Sequence, residues 1–288
     1  MPKTILIDGN NLIYRCYYVA EVMNPDKPVG LLHLHMFLNA MRQYVEMYAP
    51  RQTIVCWDKR KDGAPNMRNE ILPEYKEGRD KSKALVVHAH NDILEEMLDA
   101  LGVINFFPRT MEADDCIAYL CHELPDEKVI VSVDKDLLQL VNNDVVFYDP
   151  MKKVEINNAT FDANSKISQK NFLVEKCMLG DKSDNIQGLR GYGPVKIKRY
   201  LNGEVTLTDA EKEKLALNMK MMSLDLYKSY PEEVAHFRSY PLTTNPSWEK
   251  FEKLCIEHKM HNIAKNRSFY NLFFMEKTLE NMFANLFG

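Results

Sequence analysis

The sequence predicts a parallel α/β sheet covered by helices and followed by a helical region, and three observations carry that prediction. The first half alternates short β-branched runs with amphipathic helical stretches, the habit of a sheet built from crossover units. Beyond a polar stretch at Asn157–Gln169 the pattern is helical to the end, punctuated by glycines at 188–193. At 288 residues, 45% of them hydrophobic, the chain can bury a substantial core as one large or two smaller domains.

In chain order, the expected strands are Thr4–Ile7, Thr53–Trp57, Val103–Phe107, Lys128–Val133 and Val145–Tyr148. Between them Leu31–Tyr48 and Val86–Leu101 carry apolar residues at helical spacing; Ile93, Leu94, Met97, Leu98 and Leu101 make the second stripe. One connection breaks the rhythm. Lys59 to Lys83 holds eight Lys/Arg against five acids, with Pro65, Pro73 and two glycines, and reads as an exposed basic lid over the end of the second strand. A boundary in the polar stretch divides the chain into 1–165 and 166–288.

Composition narrows the function classes. No stretch approaches the roughly 20 uncharged apolar residues of a membrane span, and the N-terminus has no signal-peptide architecture, so the protein is expected in the cytoplasm. Cys16, Cys56, Cys116, Cys121, Cys177 and Cys255 are scattered without a C-x-x-C pair, as reduced buried thiols are. A net charge of −4 argues against a simple basic nucleic-acid coat, but a sum hides how charge is distributed. The histidine pairs His33/His35 and His88/His90, two apart, would point away from each other on helices, which disfavours zinc.

The acids carry the chemistry. Asp8, Asp58 and Asp134 fall at the C-terminal ends of expected strands, which share one edge of an open parallel sheet. Glu112, Asp114 and Asp115 open a helix, Asp136 follows Asp134 by two, and Asp181 and Asp184 flank a Gly-Asp-Lys-Ser-Asp turn. Taken singly each is what a helix cap or a turn would carry. Brought together, nine carboxylates would repel one another unless cations neutralised them. Oxygen-only donors favour Mg²⁺ or Mn²⁺ over Zn²⁺, and two such ions suit phosphodiester hydrolysis.

Two basic features complete the pattern. The run from Gly188 through Gly191 and Gly193 to Lys196, Lys198 and Arg199 places a glycine turn before a basic helix, resembling a helix–hairpin–helix that meets the DNA backbone. In the lid, Tyr75 beside Lys76 and Arg79 combines an aromatic for stacking with cations for phosphate.

Together these motifs resemble the 5′ nuclease, or flap endonuclease, family, which includes phage 5′ nucleases called RNase H and the 5′-nuclease domain of bacterial DNA polymerase I. The match runs from Asp8 to about Leu201 through Asp8-Gly-Asn-Asn-Leu-Ile-Tyr-Arg15, Asp58, Tyr75-Lys76-x-x-Arg79, Glu112-Ala-Asp-Asp115, Asp134-Lys-Asp136 and the segment 180–193. Gln187 and Arg190 stand where the family often has proline.

The resemblance implies a PIN-like core with a helical arch at about 59–90, a helix–hairpin–helix at about 180–201, and 5′→3′ exonuclease and flap endonuclease activity on DNA and on RNA primers in RNA–DNA hybrids during lagging-strand replication. It implies a first metal held by Asp8, Asp58, Asp114, Asp115 and Asp134 with Glu112 nearby, and a second by Asp136, Asp181 and Asp184. Lys76, Arg79 and Arg15 would stabilise charge at the scissile phosphate. It further implies two Mg²⁺ ions, replaceable by Mn²⁺, K⁺ at the helix–hairpin–helix, and a single-stranded DNA-binding protein as partner. For a phage chain the compartment is the host cytoplasm. The tail, with Met282, Phe283, Leu286 and Phe287 before a final glycine, is similar to sliding-clamp-binding tails of phage replication proteins. Two rival readings remain: a PIN-type ribonuclease, which needs fewer acids and no 180–199 segment, and a catalytically idle DNA-binding or clamp-loading scaffold, which would tolerate lost acids.

Overall fold

The computed structural model describes residues 3–58, 65–79, 82–165 and 167–273. Five strands, β1 (Lys3–Asp8), β2 (Gln52–Cys56), β3 (Ile104–Phe106), β4 (Glu127–Val131) and β5 (Val145–Asp149), pair in parallel, and β6 (Val154–Ile156) adds antiparallel to β5. The sheet order is β3-β2-β1-β4-β5-β6. The chain therefore builds to one side of β1, then returns to build on the other. The reversal opens a crevice at the C-terminal ends of β1 and β4, where ligands bind in such sheets.

The period-two alternation of the strands sorts residues to two buried faces. Ile5, Ile7, Val55 and Val131 join one core with α1 (Gly9–Met23), α2 (Leu32–Tyr48) and, after two short arch helices α3 (Met67–Ile71) and α4 (Ala84–Val87), α5 (Asn91–Ala100). Leu6, Ile54, Phe106 and Ile130 face the other way, onto α6 (Ala113–Glu123). The stripe expected as one helix over Val86–Leu101 is broken at 88–90, where Asn91 Nδ2 meets His88 Nδ1 at 2.9 Å. Leu85 and Val86 are exposed, so the apolar stripe that holds α5 to the sheet has no anchor before Val87.

After β6 come α7 (Phe161–Asn164), α8 (Phe172–Leu179), a small hairpin of β7 (Gly180–Asp181) and β8 (Ile186–Gln187), α9 (Pro194–Leu201) and α10 (Asp209–Met222). These from α8 onward enclose a third core of Cys177, Met178, Ile186, Leu189, Ile197 and Met221, which Tyr75 of the arch also enters. The chain then returns to the sheet. In α11 (Pro231–Ser239) Phe237 packs on the α6 face; α12 (Trp248–Glu257), α13 (His261–Ala264) and α14 (Arg267–Leu272) send Phe251, Ile263 and Phe269 to the α1–α2 face. The expected division at 165/166 thus does not separate two cores. All six cysteines are buried and unpaired. Among the described residues no helix is long and apolar enough to cross a membrane.

Candidate active site

Asp8 ends β1 and caps α1: its Oδ1 accepts from the Asn11 backbone at 2.9 Å and its Oδ2 from Ser132 Oγ at 2.8 Å. The same Ser132 oxygen accepts from the Asp134 backbone at 3.0 Å, so one hydroxyl ties the loop after β4 to the end of β1. Asp134 caps the 3-10 turn Lys135–Leu140. Asp58, just past β2, accepts from Asn10 Nδ2 at 2.7 Å and from the Ala113 backbone at 2.8 Å, which fixes the N-terminus of α6 to the same edge. Asp8, Asp58, Glu112, Asp114, Asp134, Asp136, Asp181 and Asp184 line a single cleft of about 470 Å³.

Asp115 is the acid that the structure does not bring there. It is fully buried, with Arg68 Nη1 and Nη2 at 2.6 and 2.9 Å from its two oxygens, and it closes a capping box by accepting from the Glu112 backbone at 3.1 Å. Consecutive helical residues point about 100° apart, so with Asp114 in the cleft Asp115 must turn inward. Tyr75 also departs from expectation. Instead of an exposed stacking ring it is buried, its hydroxyl 2.9 Å from Glu112 Oε2 and 3.1 Å from Asp184 Oδ2. Arg15 lines the cleft, with its buried Nε left without a hydrogen-bond partner among the described residues.

The arch cations meet the acids directly. Lys76 Nζ lies 2.5 Å from Glu112 Oε1, and Arg79 pairs with Asp184. Lys176 of α8, a residue without a signal in the motifs, pairs with Asp136 and lies 3.8 Å from Asp181 Oδ2. Among the described residues no three of these side chains form a closed ligand shell; basic groups stand between them.

The electrostatics say what the cleft wants. Burial, then Asp58 and Asp134, push Asp8 up to about 7 against the Asn11 and Ser132 hydrogen bonds. Asp114 is raised well above its ordinary value by burial and by Asp134, Asp8 and Asp58. Burial would raise Glu112 too, but Lys76 and Arg68 overcome it and hold the carboxyl at about 2. Only hydrogen bonds oppose the rise at Asp8 and only Lys76 opposes it at Asp114, whereas Glu112 has two cations close by. Oxygen donors that resist joint ionisation near neutral pH fit a hard divalent cation, which removes the repulsion by neutralising it.

A family model described as the N-terminal resolvase-like domain of 5′–3′ exonucleases matches residues 3–170. The chain belongs to the 5′–3′ exonuclease family. A family relative, the 5′–3′ exonuclease of Bacillus subtilis, is 29% identical over 66% of this chain and 67% of that one. The flap endonuclease Xni of Psychromonas ingrahamii is 29% identical over 66% of this chain and 72% of its own length. The fold is similar to that of the bacteriophage T5 flap endonuclease co-crystallised with metal ions, with a TM-score of 0.64 at 22% identity over 91% of this chain and 100% of that one. The homologues of this chain are thus 5′–3′ exonucleases and flap endonucleases.

Outside the family model's span, the glycine turn separates into two kinds of glycine. A Cβ on Gly188 would lie 2.2 Å from the Leu179 carbonyl oxygen, so this glycine serves packing between β8 and α8. Gly191, with φ +77°, and Gly193 face open space at the N-terminus of α9, where a phosphate could approach the backbone. Lys198 and Arg199 are exposed, Arg199 at 3.3 Å from Glu204, and Lys196 lies over the Tyr192 ring at 3.6 Å. Met282, Phe283, Leu286 and Phe287 lie outside the described residues. Sequence reasoning passed over Asn10, Asn11, Ser132, Arg68 and Lys176. The first two were visible within Asp8-Gly-Asn-Asn, but nothing in spacing says that an amide will hold Asp58.

Proposed function

We propose that this family member is a structure-specific 5′ nuclease that hydrolyses the backbone of flapped, nicked or hybrid nucleic acid near a free 5′ end, using two Mg²⁺ ions for which Mn²⁺ can substitute. The observation that carries the reading is the convergence of eight carboxylates on one cleft, facing Lys76 and Arg79. Asp8, Asp58, Asp114 and Asp134, with Glu112, would hold one ion; Asp136, Asp181 and Asp184 the other. Bound there, the ions supply Lewis acidity toward the phosphodiester and its attacking water.

The chain's own groups do the rest. Asn10 and Ser132 orient Asp58 and Asp8, so the acids are aimed before substrate arrives. Lys76 and Arg79 can exchange Glu112 and Asp184 for the phosphate, placing positive charge where negative charge builds in the transition state. The Gly191–Gly193 turn and α9 would grip the duplex backbone without reading sequence. The test is cleavage of a labelled 5′-flap DNA, a blunt duplex and an RNA–DNA hybrid with Mg²⁺, Mn²⁺ or EDTA. Short 5′-terminal products that require a divalent ion and favour the flap or hybrid are expected; DNA binding without cleavage in either metal would sink the proposal.

A further inference from the structure

Arg68 sits on α3 at the base of the arch, 3% exposed, and all sides of its guanidinium are engaged. Nη1 and Nη2 clasp Asp115 at 2.6 and 2.9 Å, Nε donates to the Met221 carbonyl at the end of α10 at 3.0 Å, and Nη1 lies 3.5 Å from Glu112 Oε2. The fork therefore touches three parts of the chain: the arch leg, the first turn of α6 and the third core. Asp115 in turn holds that first turn by accepting from the Glu112 backbone. Glu112 and Asp114, the two cleft acids supplied by α6, flank this clamp.

We propose that Arg68 is a positioning residue, whose fork-shaped contact with Asp115 sets the register of the α6 N-terminus and so aims Glu112 and Asp114 at the site that binds the divalent ion. The inference rests on the metal reading above. A buried pair kept only for stability would need neither the third bond to Met221 nor the nearness to Glu112, since two apolar side chains of similar volume can stabilise as well. A lysine at 68 keeps the charge but cannot make the planar bidentate contact.

The experiment measures Mn²⁺ affinity of the full chain by calorimetry without DNA, single-turnover cleavage of the flap substrate, and thermal unfolding, for wild type, Arg68→Lys and the charge-neutral pair R68M/D115N. Asn at 115 can still accept from the Glu112 backbone, so the pair removes the clamp and keeps the cap. For folded variants we expect Mn²⁺ affinity and cleavage rate to fall about 10- to 100-fold, the range for groups that orient metal ligands, with the substrate concentration for half-maximal rate nearly unchanged. Either variant, folded and within twofold of wild type in both Mn²⁺ affinity and rate, overturns the proposal. If wild type binds no Mn²⁺, the metal reading fails instead, and the rate comparison alone decides on Arg68 by the same twofold criterion.

Discussion

Glu112 stays ionised although buried, because Lys76 lies 2.5 Å from one oxygen and Arg68 stands 3.5 Å from the other. Removing Lys76 takes away a counter-charge and the group aimed at the phosphate. Lys76→Met is therefore expected to slow single-turnover flap cleavage by about 10²–10³, the loss typical of one transition-state donor, with duplex affinity nearly unchanged. A separate titration belongs to His33, buried against Tyr17 and His90 with His88 nearby. Burial and then His90 lower its pKa below the ordinary 6.5, against the Val87 and Gly30 backbone. The fold thus favours the neutral ring, so His33 contributes stability that is complete above pH 6.5 and is lost as pH falls through that value toward the folded pKa. His33→Phe should show a smaller drop in Tm between pH 7 and 5 than wild type; equal drops would remove the role. The acids were legible because strand ends and helix starts mark them in the sequence. Tyr75 and Asp115 were not, since charge-rich surroundings suggest exposure and cannot show that each has a buried polar partner waiting.

Among the helices and strands, the parallel strands could be read from β-branched runs, whereas α1 was hidden behind the Asp8 motif and the break between α4 and α5 behind a continuous apolar pattern. The α8–α10 unit depends on two contacts that pattern cannot reveal. Asn218 is buried and its amide donates to the Cys177 carbonyl at 2.8 Å and the Gln187 carbonyl at 2.9 Å, tying α10 to α8 and β8. Asn218→Ala leaves both carbonyls short of a donor and should cost about 1–3 kcal/mol, seen as faster hydrogen exchange in α8–α10 than in the sheet. Gly188→Ala must displace the Leu179 backbone and is expected to lower Tm by several degrees, while Gly193→Ala, facing open space, should leave Tm near wild type. Equal effects of the two substitutions would contradict the division of the glycines into packing and open positions.

Across the whole molecule, the polar stretch near 165 looked like a domain boundary because sequence shows where a pattern changes but not where a helix returns. Phe251, Ile263 and Phe269 close one face of the sheet and Phe237 helps close the other, so residues 1–165 alone would expose both. A 1–165 fragment is expected to lack a cooperative thermal transition; a sharp one would contradict this packing account. The net charge of −4 likewise concealed a separation of acids at the sheet edge from exposed cations on α9. That separation suits a molecule that draws a polyanion to a cation-demanding centre. The most direct test of the centre is Asp134→Asn, because the amide oxygen can still cap the turn at Asp136 N, now made at 2.9 Å, while the charge is gone. Flap binding and Tm near wild type, with Mg²⁺-dependent cleavage lost, is the result this account predicts; cleavage at the wild-type rate would contradict it.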